Sequence, residues 1–273
     1  MSEFLPYLIV ALIYALVAID FWRHARNPAE GKSMHWHSAA IALGLVIHGW
    51  LLYKGIFIGD QTLVGVNLDF GKALSLVFWL TVLIYWITDI KQTFNSLQAF
   101  VLPPAAFFVL LHGSIREFNV LPYTDQPLFL AHLIIALVAY SLFTFAALHA
   151  LLMAAAESSM HKKPAFIKLP EFPPLIGMET LLFRVITLGF VLLTLTLVSG
   201  MMFSEHIFNK PLTFNHKNLF TVLSWLVYAG LLIGRFGYGW RGRKAIRWTL
   251  AGFVLLLLAY AGSKFVFQFL VHG

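Results

Sequence analysis

Eleven histidines and no cysteine stand among the 273 residues of this chain. Imidazole is the side chain best suited to proton transfer near neutral pH, and in its neutral form it is a common metal ligand. Without cysteine there are no disulfides, thiolate metal sites or cysteine-held iron–sulfur clusters. Histidines without clustered carboxylates suit either haem iron or a looser imidazole metal site, and their spacing does not choose between the two. Two of them share one uncharged stretch: residues 129–152, FLAHLIIALVAYSLFTFAALHALL, carry His132 near one end and His149 near the other. No nucleophile–base signature, phosphate-binding loop, zinc-protease helix or repeated half accompanies them. The expectation is a protein that is not an enzyme.

The elements that must position these side chains follow from composition. Hydrophobic residues make up 60% of the chain and charged residues 11%, and mean hydropathy is +0.81. A soluble domain carries about 25% charged residues. The expected fold class is therefore all-α, a polytopic membrane protein in which every backbone group is satisfied within helices. Eight apolar runs predict a bundle of eight transmembrane helices near 4–22, 38–57, 71–90, 96–112, 128–156, 179–203, 218–236 and 245–270, forming a single integral-membrane domain over 1–273. Pro103-Pro104 in the fourth run predicts a kink or break. The N-terminal run carries Glu3, has no basic leader and meets no small-residue cleavage site, so it reads as a retained helix.

Charge sets the expected orientation. Thirteen of the nineteen basic residues fall on the loops and flanks after helices 1, 3, 5 and 7. By the positive-inside rule that side is cytoplasmic, which places both termini outside. The net charge of +7 then serves topology and lipid contact, with no nucleic-acid partner. Depth follows from a rise of about 1.5 Å per residue. His132 lies just below the outer surface and His149 about 25 Å deeper, so one ligand cannot use both. His48 lies near the midplane. His112, His132, His206, His216 and His272 fall at the outer side. His24, His35, His37 and His161 are expected to be solvated in cytoplasmic loops, and His149 to be structural. For His48, an interhelical hydrogen bond and a ligand role both fit, because polar groups inside a bilayer are costly.

Other features have simpler explanations. GRFGYGWRGRKAIRW (234–248) is a cytoplasmic anchor with interfacial tryptophans, anionic lipid contact being the lesser alternative. Gly230 and Gly234 form a G-x-x-x-G that permits close helix approach. Lys264 either snorkels outward or pairs with an acidic group of a bound cofactor.

Three segments carry a resemblance: LPEFPPLIGMETLLFRVITLGFVLLTLTLVSG (169–200), HKNLFTVLSWLVYAGLLIGRFGYGWRGRKA (216–245) and LAGFVLLLLAYAGSKFV (250–266). They resemble the cytochrome c assembly family, which includes CcsA and CcmC-type haem proteins, and within it the HemX/YpjD branch of eight-helix inner-membrane proteins. The likeness covers most of residues 40–270. It implies a haem-handling bundle in a bacterial inner membrane, holding haem b non-covalently. His132 matches the family's outer axial ligand, His272 loosely matches a second outer histidine with His112 as the other candidate, and His48 matches a mid-membrane ligand. Another haem-assembly membrane protein could supply a further axial imidazole. One departure stands out. The family carries a tryptophan-rich outer loop before helix 7, whereas here that loop is SEHIFNKPLTFNHK (204–217), with no tryptophan. The second expectation is accordingly a non-catalytic membrane scaffold or regulator acting on a cytoplasmic or membrane partner.

Overall fold

A computed structural model describes residues 4–26, 35–57, 66–92, 98–115, 121, 124, 126–161, 175–206 and 216–262. Among the described residues there are eight α-helices: α1 (Leu5–Arg26), α2 (His35–Phe57), α3 (Phe70–Gln92), α4 (Gln98–Ser114), α5 (Pro127–His161), α6 (Leu175–His206), α7 (His216–Tyr238) and α8 (Arg243–Leu257). Six of them, α1, α2, α3, α5, α6 and α7, are long and apolar enough to cross a membrane. The fourth is 17 residues long. The last is 15 residues long and runs on into a five-residue π-helical segment, Leu258–Gly262. Large apolar side chains such as Leu12, Leu16, Val46, Val191, Leu226 and Ile233 point outward. That much exposed apolar surface suits acyl chains and would be a liability in water.

The proline pair does not break α4, which stays helical from Gln98 to Ser114. Pro103 and Pro104 sit early in the helix, so the lost hydrogen bonds fall in its first two turns. The helix as a whole packs against α1 and α3.

The chain divides into two compact units, Met1–Gln126 with Ala155–Leu175, and Pro127–Ala154 with Ile176–Gly273. In the first unit α1 packs on α2, α2 on α3, α3 on α4 and α4 back on α1, which closes a four-helix bundle. Aromatic rings seated on glycines bring these helices close. A Cβ added to Gly44 would lie 2.6 Å from the Tyr14 ring, one on Gly49 3.1 Å from Trp79, and one on Gly113 2.7 Å from Tyr7. Trp79 also donates its indole N–H to the Leu45 carbonyl at 2.8 Å.

In the second unit the same device locks α7 to α8 in both directions. The Tyr228 ring of α7 rests on Gly252 of α8, and the Trp248 ring of α8 rests on Gly230 of α7. Trp240, in the connecting turn, covers Gly234. The G-x-x-x-G pair therefore seats two indoles. Ser224 Oγ donates to the Gly252 carbonyl at 2.8 Å, and Phe143 of α5 stacks on Tyr228 with centroids 4.0 Å apart.

The turn after α7 is fixed from both ends. Gly239 (φ 66°) and Gly242 (φ 55°) supply left-handed backbone that glycine adopts without strain. Glu179 of α6 accepts from Arg235 Nη1 at 2.5 Å and from the Gly242 N–H at 3.3 Å, with Arg241 Nε at 3.8 Å. Arg235 also lies over the Phe183 ring at 4.5 Å.

Candidate functional site

In the first unit the polar groups face inward at several levels. His48 is fully buried. Its Nε2 lies 2.8 Å from Ser75 Oγ on α3, and its Nδ1 lies 3.5 Å from the Tyr14 hydroxyl on α1. A neutral imidazole has one N–H and one lone pair. Here both nitrogens meet a hydroxyl, so coordination through either one requires a contact to open.

Nearer the start of α3, Asp69 caps the helix. Its Oδ1 accepts from the Lys72 N–H at 2.8 Å, while Oδ2 meets Lys72 Nζ at 2.7 Å. His112 closes α4 beside them, 4% exposed. Tyr7 meets it edge-on with centroids 5.0 Å apart, and a Cβ on Gly55 would lie 2.8 Å from its Nε2. Among the described residues the buried Nδ1 of His112 has no hydrogen-bond partner. At the opposite end of this bundle His37 is buried, not solvated: its Nε2–H donates to Asp20 Oδ2 at 2.8 Å. The helix expected from 38 begins too late, because α2 already starts at His35 and carries His37 inside the bundle.

In the second unit α5 holds both His132 and His149. The Nε2–H of His149 donates to the Met178 carbonyl of α6 at 2.9 Å, and the ring stacks on Phe145 with centroids 5.9 Å apart. This fully buried histidine ties α5 to α6. His132, near the start of α5, places Nδ1 2.7 Å from Ser199 Oγ of α6. Phe129 stacks on its ring at 6.2 Å, Gly200 lies alongside, and Lys217 at the start of α7 is within electrostatic reach.

A haem iron needs a neutral imidazole nitrogen with a lone pair. His132 fits: it bonds α6 through Nδ1, so Nε2 is the atom that would meet the metal. His48 fits only after a rearrangement at Ser75 or Tyr14. Of the expected site residues, His48 and His112 belong to the first unit and His132 to the second, while His272, like Lys264, lies outside the described residues. Among the described residues no three histidine or carboxylate side chains gather as a metal-holding group. Sequence reasoning missed Ser75, Ser199 and Glu179. Glu179 alone left a signal, an acidic residue inside an apolar run with an arginine on another run to answer it.

Comparison with known proteins supplies the context. A family model described as "Cytochrome C assembly protein" matches residues 36–271. The chain is 32% identical over 246 residues to the inner membrane protein YpjD of Escherichia coli K12, covering 87% of this chain and 89% of that protein. It is 36% identical over 96 residues to the cytochrome c biogenesis protein CcsA of Prochlorococcus marinus strain MIT 9301, covering 35% of this chain and 31% of that protein. No solved structure matches. A family match over nearly the whole chain joins the apolar helices and the buried histidines in one conclusion: this chain belongs to the cytochrome c assembly protein family.

Proposed function

We propose that this protein binds and handles haem b in a bacterial inner membrane, with eight membrane-crossing helices, both termini outside, and no bond-changing chemistry. The observation that carries the reading is His132, an imidazole held to α6 through Nδ1 by Ser199, beside an aromatic ring and a lysine. Family membership and the name of the YpjD relative support the haem-related role and the location. Haem, when bound, supplies a redox-active iron and anionic propionates. The chain's part is to present the His132 imidazole, to hold its ring between Phe129 and α6, and to set the Lys217 charge nearby for a propionate. His48 is the mid-membrane candidate, and the second outer imidazole falls to another histidine of the chain or to a partner haem-assembly membrane protein.

The test is a reduced-minus-oxidised visible spectrum with a haem assay on purified wild type, His132→Ala and His48→Ala from haem-replete cells. A bis-histidine spectrum weakened by His132→Ala supports the reading. Wild type that purifies without haem overturns it. One observation favours a second reading, a scaffold that retains the fold: both nitrogens of His48 already serve interhelical contacts. A haem-free wild type would favour that reading, with partner capture as its own test.

A further inference from the structure

We infer that Ser199 is the positioning residue of His132, holding the imidazole in its Nδ1–H tautomer so that Nε2 carries the lone pair offered to a metal. The haem-handling reading enters only through the identity of that metal. Ser199 Oγ lies 2.6 Å from the Leu195 carbonyl oxygen and 2.7 Å from His132 Nδ1. Two oxygens at that separation need a proton between them, and a carbonyl has none to give. The hydroxyl therefore donates within its own helix, the usual bond of a helical serine to the carbonyl four residues back. Its other acceptor, the Thr196 carbonyl at 3.3 Å, is also in α6. A hydroxyl owns one proton. What it turns toward His132 is a lone pair, so Nδ1 supplies the hydrogen and Nε2 is left with the ring's lone pair.

The other histidine of α5 provides an internal contrast. His149 Nε2 faces a carbonyl, which can only accept, so His149 carries its proton on Nε2. One helix thus holds two neutral imidazoles in opposite tautomers, each dictated by α6. The structural histidine spends its Nε2 on the backbone, whereas His132 spends Nδ1 on a side chain. A hydrogen-bonded N–H on the far nitrogen fixes the ring's rotation and raises the basicity of the ligating one, and loss of such a partner typically lowers metal affinity about 10–100-fold.

The experiment is nitrogen-15 NMR of histidine-labelled, haem-free full-length protein in lipid nanodiscs, with signals assigned through His132→Ala and His149→Ala. The expected result is a protonated Nδ1 for His132 and a protonated Nε2 for His149. Ser199→Ala should release His132 toward the Nε2–H form, and Ser199→Thr, which keeps the hydroxyl, should restore the Nδ1–H form. A protonated Nε2 on His132 in wild type, or an unchanged tautomer in Ser199→Ala, overturns the inference. A second reading comes from haem titration of the same variants: affinity at the His132 site falls about 10–100-fold in Ser199→Ala and recovers in Ser199→Thr. Equal affinity in all three overturns the positioning role. Failure of wild type to take up haem at all sinks the haem reading instead, and the NMR result still decides the tautomer.

Discussion

Glu179→Ala is the sharpest probe of how the second unit is held. It removes the acceptor of Arg235 and of the Gly242 N–H in one step. Arg235 is then left 20% exposed with the Trp240 carbonyl at 3.2 Å and the Phe183 ring as company. Removing one partner of a buried pair costs about 3–5 kcal/mol, and partial exposure lets water recover some of that. The expected loss is about 2–3 kcal/mol. For a chain of this size each kcal/mol moves a melting temperature by about 2–4 °C, so the variant should melt about 4–12 °C lower. Tryptophan fluorescence during heating in detergent reads it, because Trp240 and Trp248 sit against the turn with ring centroids 5.0 Å apart. Glu179→Gln keeps the acceptor without the charge and should fall between the two. If Glu179→Ala melts within a degree of wild type, the carboxylate does not hold the turn and the reasoning fails.

Further expectations concern the bundle interiors. Gly44→Ala forces the Tyr14 ring to move and should destabilise by about 1–3 kcal/mol, whereas Gly177→Ala, with nothing within 4 Å of the new methyl, should not; paired melting curves decide this. His149→Ala should lower the melting temperature through the lost bond to Met178, about 1–3 kcal/mol, yet leave any haem spectrum as in wild type; a changed spectrum would make His149 a ligand. A double-mutant cycle of His48→Ala and Ser75→Ala should return a coupling of about 0.5–2 kcal/mol in thermal stability, and additive losses would mean that the 2.8 Å contact contributes nothing.

What the sequence revealed and what it hid divide along physical lines. Apolar length predicts where helices lie, and the eight helices follow the eight apolar runs, even through Pro103-Pro104, with residues 263–270 of the last run outside the described residues. Family membership was legible from 169–200, 216–245 and 250–266 because those stretches keep residue order as well as hydropathy. Apart from Glu179 with Arg235, partnerships across helices were not legible. Ser75 meets His48 and Ser199 meets His132 through depth register and rotation about the helix axis, neither of which composition encodes. Most helical hydroxyls here bond their own backbone, as Thr81, Thr144 and Thr249 do, so a serine or threonine in an apolar run announces nothing by itself. His37 was misjudged for a similar reason, since a histidine near a basic loop looks solvated until α2 is seen to begin before it.

The turn held by Glu179 has a consequence set by voltage. Arg235, Arg241, Arg243, Lys244 and Arg247 gather around it with one carboxylate among them, a net charge of four. Each unit charge moved across a membrane that sustains 100 mV gains or loses about 2.3 kcal/mol. Four charges amount to about 9 kcal/mol, before any cost of passing them through hydrocarbon. In the proposed orientation, the field of an energised membrane would itself hold this hairpin on the electrically negative side, and the hold would weaken in proportion as the potential collapses.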